Sequence, residues 1–151
     1  MYLAIDPGEH NRAGGSTGWA LLDNHGEVER FGQIRADEIT SWLNDMLKFE
    51  RIEAVICEDF ANFVWKGNHQ RSRKNKTSVA IGRIEAVCEL HRVPLHKQPS
   101  SILTIGYKWA GIDPPSNHDI SHQYSAIAHG VYWLQRNGIR KPGIAIPEDL
   151  K

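Results

Sequence analysis

Two short apolar segments of this chain each close on a carboxylate, and that pairing constrains the fold more than any other feature. Residues 2–6 read Tyr-Leu-Ala-Ile-Asp, and residues 53–58 read Glu-Ala-Val-Ile-Cys-Glu. Runs of this length and composition form buried β-strands, and the second, apolar along its middle, belongs inside a sheet covered on both faces. An acid at the end of a buried strand is costly unless it finds a cation, a helix N-terminus or solvent. Taken alone, Asp6 or Glu58 reads most simply as a solvated strand end. On neighbouring strands the two carboxylates repel unless a metal ion lies between them, and oxygen ligands of this kind select Mg²⁺ or Mn²⁺.

The rest of the chain supplies the frame for such a sheet. Residues 16–23 (STGWALLD) form a second strand after a glycine-rich loop, and residues 28–34 (VERFGQI) a third. Asp23-Asn24-His25-Gly26 joins these two as a hairpin. Ile39, Trp42, Leu43, Met46 and Leu47 fall at helical spacing within 37–49. A longer helix is expected from Thr77 or Ser78, either of which caps it, to about His91. Its Val79, Ile81, Ile84, Val87, Cys88 and Leu90 cover much of the circumference, which suggests burial on two sides. Residues 94–98 make a short fifth strand, Ser100 or Ser101 caps a helix through Trp109, and a last helix runs from about Asp119 to Gln135, stopped by Asn137-Gly138. The expected architecture is α/β: one domain over 1–151, a five-stranded mixed sheet flanked by helices.

Charge bears on the partner. The chain carries 18 Lys and Arg against 18 Asp and Glu, a net of zero that would ordinarily argue against nucleic acid. The zero is a cancellation: residues 1–60 hold 12 acids and 5 bases, net −7, whereas residues 61–151 hold 6 acids and 13 bases, net +7. Lys66, Arg71, Arg73, Lys74 and Lys76 crowd into one stretch free of acids, just after Phe60, Phe63 and Trp65. That stretch reads either as a solvated loop or as a surface that stacks on bases and grips phosphates. No apolar run approaches the roughly 18 to 20 residues of a membrane span, and no signal peptide is evident, so a cytoplasmic location is expected. Cys57 and Cys88, each inside an apolar segment, are expected to be buried free thiols.

The ordered set AIDPG, STGWALLD, ICEDF and a histidine-bearing C-terminal helix resembles the RuvC-like Holliday-junction resolvases of the RNase H fold. The segment KNKTSVAIGRIEAVCELHRVPLHKQPSSIL also looks like that family, and the overall length is similar to its compact phage-type members. The resemblance implies a structure-selective endonuclease that resolves four-way DNA junctions, using two Mg²⁺ or Mn²⁺ ions and leaving symmetric nicks with 5′-phosphate ends. It implies that Asp6 bridges the ions and Glu58 binds one of them. In the family the last helix carries an acid or histidine, two residues, then an acid, a spacing that puts both side chains on one helix face. Here His122 fits the first position and Ser125 stands where the second acid is expected. Serine is shorter than aspartate and neutral, a poor substitute in an oxygen cage. Three readings compete: a weakly active natural member, a catalytically dead junction-binding protein, and, the favoured one, a deliberately inactivated form. Asp119, one turn earlier, is a possible stand-in, though helix capping is its simpler task.

The family works as a homodimer, which makes the apolar helix at 78–91, through Ile81, Ile84 and Val87, the expected interface; the plainer reading is a helix buried within the monomer. Phe60, Phe63 and Trp65 follow Glu58 where the family places an aromatic wedge at the junction centre. His118, His122 and His129 imitate a zinc-binding helix face, but no cysteine or HExxH pattern accompanies them, and His122 reads better as an ion ligand or a group orienting water. Other classes remain. AIDPG with STG is similar to the phosphate loop of actin-like sugar kinases, which need two such domains and far more chain. A nuclease of the same fold acting on structured RNA shares the DPG start, and a junction-binding protein without activity is the non-enzyme alternative.

Overall fold

The computed structural model of the chain describes residues 1–8, 15–59, 71–116 and 121–143, with the backbone alone described at 71–76. The strands are β1 (Tyr2–Asp6), β2 (Ser16–Leu22), β3 (Val28–Arg35), β4 (Ala54–Asp59) and β5 (Leu95–Pro99). The helices are α1 (Ile39–Phe49), α2 (Arg71–His91), α3 (Leu103–Ala110) and α4 (Ser121–Arg136). The strands form one five-stranded sheet in the order β3-β2-β1-β4-β5. The first three strands are antiparallel neighbours, whereas β1 and β4, and β4 and β5, run parallel. The expected mixed α/β sheet is therefore present, with β1 at its centre.

The hairpin between β2 and β3 is held by its own sequence. The Asp23 carboxylate accepts hydrogen bonds of 2.8 Å from the backbone N–H groups of His25 and Glu27, and Gly26 takes the left-handed conformation (φ +81°) that a side chain would resist. Arg140, buried just beyond α4, donates from Nε to the Gly26 carbonyl at 2.9 Å and so ties the chain's last described segment to this turn.

Because side chains alternate along a strand, the sheet has two distinct faces. Leu3, Ile5, Leu21, Val55 and Cys57 point to one side and pack with Ile39 and Leu43 of α1 and Ile81, Ile84, Val87 and Cys88 of α2. Tyr2, Ala4, Ala20, Leu22, Ala54 and Ile56 point to the other and pack with Ala126, Ile127, Val131 and Leu134 of α4. Both cysteines are buried and free, as expected.

Several expectations are corrected. The helix expected from Thr77 or Ser78 begins at Arg71, so Arg71, Arg73, Lys74 and Lys76 occupy helical turns rather than a loop, and Thr77 and Ser78 lie inside the helix instead of capping it. Lys and Arg are good helix formers, and residues 71–76 hold no Gly or Pro to break a helix. Ile81, Ile84 and Val87 are buried in the chain's own core, in keeping with the plainer reading of this helix. The apolar residues that α2 leaves exposed are Val79 and Leu90. Neither Ser100 nor Ser101 caps a helix: both fall within a 3-10 turn, Ser100–Ile102, that leads into α3 without a side-chain cap bond. Asn137-Gly138 does follow the end of α4, with Gly138 left-handed at φ +71°. Among the described residues no helix is long and apolar enough to cross a membrane.

Candidate functional site

The alternation that builds the two faces also decides where the acids go. Asp6 shares the α4 side of β1 with Tyr2 and Ala4, and Glu58 shares the α4 side of β4 with Ala54 and Ile56. The parallel register pairs Ile5 with Cys57, so one step further along sets Asp6, the last residue of β1, beside Glu58, one residue short of the end of β4. Neither is a solvated strand end: Asp6 is 3% exposed and Glu58 4%. Burial above all pushes the Glu58 carboxyl up from its ordinary range; His129 pulls it down, and the charge of Asp6 pushes it up further. Two carboxylates this close and this dry are the arrangement that a cation relieves.

α4 closes over the pair because two glycines let it approach. Gly18 stands opposite Asp6 in the β1–β2 register. A Cβ there would lie 2.0 Å from the backbone carbonyl carbon of His122, and one on Gly8 would lie 2.4 Å from His122 Nε2. The glycines of AIDPG and STG are thus what allows the first turn of α4 to rest against β1 and β2. In that position His122 Nδ1 is 3.1 Å from Asp6 Oδ2, so the expected neighbourhood of Asp6 and His122 is present. Ser125 follows on the same stripe of α4, 5% exposed, and its Oγ has no hydrogen-bond partner among the described residues. Asp6 Oδ1 is likewise buried without a partner among them.

Two further residues join the site that the sequence did not assign to it. His129, fully buried one turn beyond Ser125, has its Nε2 3.5 Å from Glu58 Oε2 and its Nδ1 2.9 Å from Gln98 Oε1. Gln98 is the β5 residue registered opposite Glu58. The helical spacing of His122 and His129 was the available signal, although together with His118 it reads equally as an imitation of a zinc face. That face does not form from His122 and His129, which turn to different carboxylates. Tyr107 of α3 stands close enough to feel both acids: burial first, then the charges of Asp6 and Glu58, push its phenol up to about 12.

The donor set suits a divalent cation. Among the described residues no three His, Cys, Asp or Glu side chains gather into a preformed cage. What is present is two carboxylate–imidazole pairs, Asp6 with His122 and Glu58 with His129, with Asp6 Oδ1 buried and without a hydrogen-bond partner among the described residues. Mg²⁺ and its relatives are commonly held by one or two carboxylates, with waters and substrate phosphates completing the shell. Phe60, Phe63, Trp65, Lys66, His118 and Asp119 lie outside the described residues, as do the side chains of Arg71, Arg73, Lys74 and Lys76.

A five-stranded mixed sheet with a carboxylate at the end of each of two parallel central strands, covered by a C-terminal helix, is an RNase H-like α/β fold. Solved structures make the likeness particular. The structure of T. thermophilus RuvC in complex with Holliday junction substrate matches with a TM-score of 0.64 and 18% sequence identity, over 93% of this chain and 98% of that one. A second Thermus thermophilus RuvC structure matches with a TM-score of 0.60 and 16% identity, again over 93% and 98%. The chain therefore has the RuvC form of the RNase H-like fold. No family model matches the sequence, and no curated protein matches it.

Proposed function

We propose that the chain is a structure-selective endonuclease that resolves four-way DNA junctions in the cytoplasm, acting as a homodimer with Mg²⁺ or Mn²⁺. The observation that carries this reading is the pair of buried carboxylates, Asp6 and Glu58, side by side under α4 in a fold like that of RuvC. Asp6 and Glu58 would hold two divalent ions, with His122, placed by Asp6, at their edge. When bound, such ions activate the attacking water and neutralise the leaving 3′ oxygen, giving 5′-phosphate ends. The residues themselves fix the position of that chemistry: Gly8 and Gly18 seat His122, and the apolar packing of α4 on the sheet keeps bulk water from the carboxylates. The basic run from Lys66 to Lys76 would hold the DNA backbone, and Phe63 or Trp65 would enter the junction centre. Symmetric nicks call for two copies, and the exposed side of α2, with Val79 and Leu90 three turns apart, is the surface open to a second one.

Ser125 favours a second reading, a junction-binding protein that does not cut. Its buried hydroxyl stands where the resemblance calls for an acid. The test is nicking of a synthetic four-way junction, with duplex DNA and structured RNA as comparison substrates, by the chain as it stands and by Ser125→Asp. Cleavage that depends on a divalent ion and rises by orders of magnitude in Ser125→Asp supports the nuclease. Tight junction binding with no cleavage by either protein supports the binding protein, and preferential cutting of RNA would replace the DNA substrate.

A further inference from the structure

His129 is placed unlike an ordinary core histidine. It is fully buried on α4, and its Nδ1 lies 2.9 Å from the side-chain oxygen of Gln98. An amide oxygen only accepts, so Nδ1 donates to it, and Nε2 is the ring nitrogen turned toward Glu58. That nitrogen has no hydrogen-bond partner among the described residues, and it faces Glu58 Oε2 across 3.5 Å, beyond the usual length of an N–H···O bond. A cation between this nitrogen and the buried carboxylate oxygen would bring both into one coordination shell. Histidines that bind metals typically have this arrangement, with the far ring nitrogen donating to a fixed oxygen while the near one is free to ligate. The separation is also suitable: two donors each about 2.1 Å from one ion stand about 3.0 Å apart at octahedral and about 3.4 Å apart at tetrahedral angles.

The same helix explains why such a ligand would be needed. Ser125, one turn earlier, leaves a neutral hydroxyl where an acid would complete an oxygen site, and His129 is the next α4 residue on that stripe. We propose that His129 Nε2 and Glu58 Oε2 together hold one of the site's divalent ions, and that this position prefers a nitrogen-accepting first-row transition ion to Mg²⁺. Imidazole raises affinity for such ions far more than for Mg²⁺, which favours oxygen alone. The inference rests on the reading of Asp6 and Glu58 as an ion site, and it does not depend on the chain cutting DNA.

The test uses Mn²⁺ as the probe and the whole chain as the sample. Pulsed electron paramagnetic resonance of the Mn²⁺-loaded protein should show coupling to a directly bound imidazole nitrogen. That coupling should be lost or strongly reduced in His129→Gln and retained in His122→Gln. By equilibrium titration, His129→Gln should weaken Mn²⁺ binding by about tenfold or more, on the scale of losing a ligand-shell group, and Mg²⁺ binding by much less. Ser125→Asp, which leaves His129 untouched, should narrow the preference for Mn²⁺ over Mg²⁺. Absence of nitrogen coupling in the unaltered chain, or coupling undiminished in His129→Gln, would overturn the assignment, and the first of these needs no variant to fold. Junction nicking measured alongside separates the two claims. Nicking without a His129 signal leaves the nuclease reading intact and removes this one. A His129 signal with no nicking by Ser125→Asp does the reverse.

Discussion

The two faces of the sheet are built from alternate residues of the same strands, yet they obey different rules. On the α1–α2 face, Leu3, Ile5, Val55 and Cys57 meet Ile84, Val87 and Cys88 in an apolar core. On the α4 face the same strands, one residue along, begin apolar with Ala4 and Ile56 and end in Asp6 and Glu58. The acids meet His122 and His129, with Ser125 on the helix between these, instead of hydrocarbon. A face assembled for stability alone would not bury two carboxylates and leave polar atoms unpartnered, because each such group costs on the order of 1 to 3 kcal/mol. The α1–α2 face stabilises the domain, and the α4 face carries strain at one end that a cation would relieve.

Substitutions on the two sides should therefore fail in opposite ways. The largest effect is expected from Ile84→Asp, which puts an unpaired charge in the apolar core at a fully buried position. At a cost of several kcal/mol against a total of roughly 5 to 15, it should abolish cooperative thermal unfolding. Asp6→Asn should do the reverse: thermal stability without added metal is held or raised, while divalent-ion-dependent cleavage in the Ser125→Asp background falls by about 10²-fold or more. Equal loss of stability from both would erase the distinction between the faces.

Smaller effects probe how the α4 face is held. Ser125→Asp should lower the melting temperature in chelator, by adding a third buried acid, and should enlarge the upward shift on adding Mg²⁺ or Mn²⁺. Gly18→Ala forces a methyl against the His122 backbone and should cost about 1 to 3 kcal/mol, read as a lower melting temperature together with weaker metal binding. The smallest effect concerns Tyr107. Its phenol is raised from 10.0 to about 12 in the folded chain, so the stability it contributes is present below pH 10 and is lost as pH rises toward 12. Absorbance titration at 295 nm should show one tyrosine ionising near that upper value, and Tyr107→Phe should remove it.

Much of this was legible in the sequence, for a physical reason in each case. Apolar runs of five or six residues ending in an acid announce both the strands and the carboxylates, since period-two alternation leaves the last residue's face determined. Asp23 to Gly26 announces the hairpin through its turn chemistry. The start of α2 was not legible, because a run of Lys and Arg is consistent with both a solvated loop and a helix. The inward direction of Ile81, Ile84 and Val87 was lost among apolar residues spread around the same helix, and only packing shows that Val79 and Leu90 are the exposed ones. His129 was visible as a residue but not as a neighbour of Glu58, because that contact depends on β4 and β5 in register with Gln98 and on the depth at which α4 sits.

The central claim is that Asp6 and Glu58 form one ion-dependent reaction centre. Its most direct test is cleavage of a 5′-labelled four-way junction by Ser125→Asp, alone and combined with Asp6→Asn or Glu58→Gln, with Mg²⁺, Mn²⁺ or chelator present. The expected result is paired nicks with 5′-phosphate ends that require a divalent ion and disappear when either acid is neutralised in a protein that still folds. Cleavage that persists without Asp6 and Glu58, or that proceeds in chelator, would contradict it.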